Sequence, residues 1–177
     1  IIGAGMIGAT TALLAERMPL ERLEIVDVNP ARRQLLTDWG ITAVTPEAAA
    51  ADCDIVIHVS GHQAGLARAL EIVGDDGVVI EASWYGDNAP AVPLGADFHA
   101  RRLNIIASQV GQVPPGHRHR RTTAQRKAAG LAALRDDRFD DLITGVSHWT
   151  QLPQIMHQAT NPGDFADATL CHVFEYP

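Results

Sequence analysis

Gly3-Ala4-Gly5-Met6-Ile7-Gly8 stands between the apolar pair Ile1-Ile2 and a helical pattern that continues to Arg17. Three glycines spaced G-x-G-x-x-G at a strand-to-helix junction have a specific physical use. Gly3 allows the tight turn, Gly5 lets the backbone approach a pyrophosphate, and Gly8 lets the helix pack close to the strand. The backbone N–H groups around Met6 and Ile7 then open a helix and point toward an anion. Asp27 lies 19 residues after Gly8, at the end of the next apolar run. A carboxylate there accepts hydrogen bonds from ribose hydroxyls and repels a 2′-phosphate. The spacing therefore predicts a dinucleotide site that takes NAD rather than NADP. Arg32 and Arg33 follow closely and could instead meet a 2′-phosphate or stack on adenine.

Outward from this motif, short apolar runs alternate with helical patterns, the signature of a parallel sheet with crossover helices. Strands are expected at 1–2, 23–28, 41–44, 54–59, 77–82 and 104–108. The run 54–59 is almost continuously apolar, which predicts burial on both faces. Helices are expected at 8–17, 30–39, 63–73, 122–134 and 152–160. Pro30 at the first position and Gly40 past the end are start and stop signals for the second of these. Thr45-Pro46-Glu47 is expected to open a small alanine-rich helix, and 111–121 to be a basic loop. A last strand, 169–174, stands without a partner in this reading. The predicted fold is α/β: a doubly wound, six-stranded parallel sheet in the order 3-2-1-4-5-6, with a C-terminal helix and a stray late strand. The expected division is 1–148 for the dinucleotide-binding domain and 149–177 for a helix and strand leading toward another domain. Ile1-Ile2 is short for a central strand, so the chain is expected to be part of a larger enzyme.

Composition bounds the function. The 177 residues are 46% hydrophobic and 20% charged, ordinary for a globular chain and unlike a disordered one. At this length roughly 70% of the unfolded surface is buried on folding. No apolar stretch approaches the roughly 20 residues of a membrane span. A net charge of −7 argues against general binding to nucleic acid or anionic membranes. Cys53 and Cys171 form no ligand-spaced pair, and the front carries no signal-peptide pattern, so the cytoplasm is the expected compartment.

The stretches Gly3 to Gly8 and Val26-Asp27-Val28-Asn29-Pro30-Ala31-Arg32, with Ser60-Gly61 and the terminal His172-Val173-Phe174-Glu175-Tyr176, carry a resemblance. Together they look like the C-terminal half of a medium-chain dehydrogenase/reductase of the zinc-type alcohol dehydrogenase group. The later part is most similar to members near bacteriochlorophyllide dehydrogenase and threonine dehydrogenase. The resemblance implies that Asn29 and Arg32 join Asp27 beside the adenosine, with Ser60, Gly61 and His62. It implies that Ala82, Ser83 and Trp84, with Ser108 and Gln109, flank the nicotinamide. Trp84-Tyr85 is bulkier than the usual residues there, and either contacts the cofactor or covers the domain's edge or a partner domain. The resemblance also places the catalytic zinc ligands upstream of Ile1, and implies a homodimer formed through the sheet edge. A small-molecule alcohol or ketone is the implied substrate, with hydride moving between it and NAD.

Other chemistry is weaker. His117 and His119 are two apart in a loop that could hold a metal, though a solvated loop explains them as well. Arg118, Arg120, Arg121, Arg126 and Lys127 form a basic patch that could meet an anionic substrate. A short-chain dehydrogenase needs a lysine four residues after its tyrosine, and Ala89 follows Tyr85 at that distance. Three alternatives stay open: an adenosyl-binding methyltransferase, a non-catalytic NAD-sensing module, and a zinc-free quinone-reductase-like member of the same family. No catalytic residue is identifiable in the sequence, and the chain alone is expected to bind NAD without turnover.

Overall fold

The computed structural model describes residues 1–95 and 97–177 as two compact units, Ile1–Gly130 and Leu131–Pro177. In the first unit helices and parallel strands are interspersed. They are α1 (Met6–Ala15), β1 (Glu24–Val26), α2 (Pro30–Asp38), β2 (Thr42–Val44), β3 (Cys53–His58), α3 (Gln63–Ile72), β4 (Val73–Glu81) and β5 (Asn104–Ala107). Then α4 (Thr123–Ala133) carries the chain into the second unit. All strand pairs are parallel, so the α/β class read from the alternation holds.

Hydrogen bonding groups these strands as β1-β2 and β3-β4-β5. Between the groups Ile2 makes isolated parallel bridges, to Val26 on one side and His58 on the other. A continuous six-stranded sheet is therefore not what the hydrogen bonds define. Ile2 supplies a bridging residue where a strand was expected. Ile1 still donates its terminal amine to the Glu24 carbonyl at 2.7 Å.

Local signals explain the elements that formed as expected. Asn29 caps α2 by accepting from the N–H groups of Ala31 and Arg32, and Pro30 takes the first helical position. On α3, Leu66, Ala69, Leu70 and Ile72 turn inward against Val56, Val73 and Val79 of β3 and β4. Ile2, Val26 and Leu103 extend the same apolar core.

Three expectations change. Residues 45–51 form a turn closed by Ala48 N–H donating to the Thr45 carbonyl, with no helix. So short an alanine run cannot offset helix nucleation. On β3, Val56 and His58 are buried but Ile55 is 57% exposed, the alternation of a strand with one covered face. The crossover from β4 to β5 contains no helix among the described residues, so one of the crossover helices of a doubly wound sheet is missing there.

A further change concerns the second unit. Its last strand, β7 (Cys171–Glu175), is not stray: it pairs in parallel with β6 (Ile143–His148). The connection between them holds α5 (Leu152–Thr160) and α6 (Asp164–Ala168). Ile143-Thr144-Gly145-Val146-Ser147-His148 carries a glycine and three polar residues, which hid the strand from a reading based on apolar runs. Phe139, Leu142 and Ile155 are the buried apolar residues of this unit. Trp149 stacks on Tyr176 with ring centroids 6.2 Å apart.

The core of the first unit should show its weight in unfolding. Leu70→Ala should lower the unfolding free energy by about 2–5 kcal/mol, the usual loss for a buried leucine. The check is a denaturant titration, with the midpoint falling at unchanged slope.

Candidate functional site

The register of the parallel strands aligns their C-terminal ends. Val26 pairs with Val44, Ile2 bridges Val26 and His58, His58 pairs with Glu81, and Glu81 with Ala107. The residues just beyond this row are Gly3, Asp27, the turn at Ser60-Gly61, Ala82-Ser83, and Ser108-Gln109. Every strand-end residue expected from sequence to face a dinucleotide thus lies along one edge of the strands.

Gly3 turns with φ +106°, a conformation L side chains rarely adopt. A Cβ on Gly3 would lie 2.9 Å from the Ser60 backbone, so the turn after β3 packs directly against it. A Cβ on Gly8 would overlap the Gly3 carbonyl oxygen and lie 2.8 Å from its carbonyl carbon. By contrast, nothing lies within 4 Å of a Cβ on Gly5, the N-cap of α1. Gly5 makes no side-chain cap, and the first amides of a helix lack intrahelical acceptors. Open space thus lies beside an unsatisfied helix N-terminus, which suits an anion. Met6 and Ile7, 40% and 57% exposed, form the first turn there.

Asp27 follows β1 and is nearly buried, at 9% exposure. One carboxylate oxygen accepts from Ala4 N–H at 2.6 Å and the other from Asn29 N–H at 2.7 Å. The carboxylate therefore clamps the glycine turn and keeps capacity for further donors, since two oxygens offer about four acceptor sites. Asn29 spends its side chain on the α2 cap. Arg33 donates to the Asp27 carbonyl at 2.7 Å, which ties it to β1. Arg32 sits half-buried in the first turn of α2.

A second cluster joins the ends of β3 and β4. His58, fully buried, places Nδ1 2.8 Å from Glu81 Oε2 and Nε2 2.7 Å from Ser60 Oγ. Glu81 Oε1 accepts from Ser83 N–H at 2.8 Å, and Oε2 accepts from the Tyr85 hydroxyl at 3.2 Å. Ser83 Oγ accepts from Gly61 N–H at 3.1 Å, and Ser60 Oγ from His62 N–H at 3.2 Å. Burial, followed by the charge and hydrogen bond of Glu81, pushes the Tyr85 phenol up to about 12. The order Glu81–His58–Ser60 matches an orienting acid, a base and a nucleophile. However, the two amides next after Ser60 are spent on Ser83 and on Ser60 itself, and so supply no oxyanion hole.

His58 and Glu81 were not singled out in the sequence. Each is the last residue of its strand, and only the pairing of β3 with β4 brings them together. Tyr85 turns inward to this cluster, while its neighbour Trp84 is 89% exposed. Ser108 follows β5 and donates its N–H to the Glu81 carbonyl at 2.8 Å.

Two cations of the basic patch are occupied with nearby backbone. Arg118 donates to the Val113 carbonyl, and Arg126 to those of Gln112 and Val110. Among the described residues no three His, Cys, Asp or Glu side chains converge as metal ligands. Cys53 lies at the start of β3, where its Sγ meets the Ala50 carbonyl and Arg22. Cys171 lies in β7 of the other unit. No helix among the described residues is long and apolar enough to cross a membrane.

Comparison with known proteins adds the fold. No family model matches the chain, and no curated protein matches it. Solved structures do. L-idonate 5-dehydrogenase from Escherichia coli K-12 matches with a TM-score of 0.74 at 17% identity, over 98% of this chain and 49% of that one. Glucose dehydrogenase from Haloferax mediterranei, in complex with NADP, Zn and gluconolactone, matches with a TM-score of 0.69 at 15% identity, over 99% and 50%. A protein described as a short chain alcohol dehydrogenase from Escherichia coli CFT073, complexed with NADH, matches with a TM-score of 0.72 at 13% identity, over 99% and 51%. The chain shares their fold and spans about half the length of each.

The Tyr85 environment has a direct readout. Ultraviolet titration should show a phenol step near pH 12 that is absent from Tyr85→Phe. Because the folded pKa is raised, the stabilisation tied to this group is intact below the ordinary value of 10 and lost as pH rises toward 12.

Proposed function

We propose that this chain is the NAD(H)-binding part of an oxidoreductase resembling zinc-type alcohol and polyol dehydrogenases. The observation that carries the reading is the glycine turn. Gly8 is closed against Gly3, Gly5 is open at the start of α1, and Asp27 clamps Ala4 beside them. These residues fit a dinucleotide: the α1 amides for the pyrophosphate, and Asp27, with Asn29 and Arg32 nearby, for the adenosine ribose. The bridges of Ile2 to Val26 and His58 support the order β2-β1-Ile2-β3-β4-β5, which is the expected 3-2-1-4-5-6 with Ile1-Ile2 counted as the first strand, and the glycine turn lies at its switch point. Solved structures of the same fold include one with NADP and one with NADH.

When bound, NAD(H) supplies hydride transfer to or from an alcohol or ketone carbon. On this reading the residues of this chain bind and orient. Ser60, Gly61 and His62 border the cofactor from the end of β3. Ala82, Ser83 and Trp84 do so from β4, and Ser108 and Gln109 from β5. The described residues offer no zinc site, so no step is assigned to a metal here. Residues 149–177 then lead toward a substrate-carrying domain. The half-exposed Ile105 and Ile106 of β5 fit a sheet-edge contact between two copies.

The preference for NAD over NADP rests on Asp27. In fluorescence titrations the protein should bind NADH more tightly than NADPH. Asp27→Ser should remove that preference by about tenfold or more, the scale of hydrogen bonds to a charged group. Tighter NADPH binding by the unmodified protein would overturn the NAD assignment, and no binding of either cofactor would overturn the function.

A further inference from the structure

The Glu81–His58–Ser60 chain has more order than a strand terminus requires. Glu81 is held in one orientation, because Oε1 accepts the Ser83 N–H and Oε2 faces both His58 and Tyr85. A carboxylate only accepts, so a neutral His58 carries its proton on Nδ1 and leaves Nε2 as an acceptor. Ser60 Oγ, 2.7 Å away, is the group that donates to it. Ser60 also accepts from His62 N–H. Its single proton is thus committed inward, and outward it offers only a lone pair. The space is built for this arrangement: α3 has Gly65 at its third position, where a Cβ would overlap Ser60 Oγ and lie 2.7 Å from His58 Nε2. Ser60 also borders the glycine turn, through its backbone against Gly3.

We propose that Glu81 and His58 are positioning residues that fix the direction of the Ser60 hydroxyl, so that it presents an acceptor to a donor hydroxyl of the bound dinucleotide's ribose. The ligand half of this proposal rests on the dinucleotide reading given above. The relay itself rests only on the geometry. Among the described residues, the titratable groups in contact with His58 are Glu81 and Tyr85. Tyr85 donates to the Glu81 carboxylate and leaves the His58 ring proton in place.

Glu81→Gln makes the relay visible. The Ser83 N–H requires an acceptor, so the Gln oxygen takes the Oε1 position and its NH2 faces His58. Nδ1 then becomes an acceptor, the ring proton moves to Nε2, and the Ser60 proton turns outward. The experiment is nitrogen-15 NMR of the imidazole near pH 7, with NADH titrations of the unmodified protein, Glu81→Gln, Ser60→Ala and the double variant. The expected unmodified protein has His58 protonated on Nδ1, and Glu81→Gln has it on Nε2. Glu81→Gln and Ser60→Ala should each weaken NADH binding by about tenfold, the scale of one hydrogen bond. The double variant should bind no more weakly than Ser60→Ala, because one acts through the other.

An unmodified His58 protonated on Nε2 or on both nitrogens overturns the relay without any variant. So does a Glu81→Gln protein that folds and keeps the Nδ1 proton. Additive losses in the double variant overturn the action through Ser60. Absence of NADH binding by the unmodified protein overturns the dinucleotide reading and the ligand half with it, while the imidazole spectra still decide the relay.

Discussion

Gly8 sits so close to the Gly3 carbonyl that a single methyl group would not fit between them. That approach sets α1 directly on the turn and aims its first amides across the ends of the strands. Gly3 in turn has the Ser60 backbone against it, so the turn after β3 is placed by the same contact. Asp27 closes the arrangement from β1 by taking the Ala4 N–H. Two strand ends are thus referenced to one glycine turn, although the residues that precede it, Ile1-Ile2, form bridges and no strand of their own. Side-chain volume is the constraint. The motif works because two of its positions hold nothing beyond Cα and the third faces open space.

This part of the molecule was legible in the sequence because its rules are local. A turn that needs positive φ, a helix with a proline start, and an acid at a strand end each leave a mark within a few residues. Helix α2 begins at Pro30 as read, and the α/β alternation follows from the spacing of apolar runs. The second cluster left no such mark. His58 and Glu81 are 23 residues apart, and each looks like a polar residue closing an apolar strand. Their meeting depends on register, which is a property of two strands and not of either one. Strand β6 was hidden for a related reason: its residues make sense only beside β7.

The two clusters differ in how they treat polarity. At the glycine turn, backbone amides and open space are left for something to occupy. At the ends of β3 and β4, donors and acceptors are matched to one another. Glu81 accepts three donors, and both nitrogens of His58 have partners. A buried imidazole without partners would cost far more than its bonds contribute, since desolvation dominates. Full satisfaction makes the second cluster a rigid support, and rigidity is what a neighbouring ligand site needs from it.

The direction of each hydrogen bond in that support follows from a single charge. If Glu81 is ionised it must accept from all three of its partners, and for a neutral imidazole the order of donors through His58 to Ser60 has no second solution. A neutral amide in its place permits the reverse order at nearly the same geometry. Shape alone therefore does not define what the turn at Ser60 offers to a ligand. The carboxylate at the end of β4 does, through one ring and one hydroxyl, and this gives a reason for an acid at a strand end that would otherwise be well served by an apolar residue.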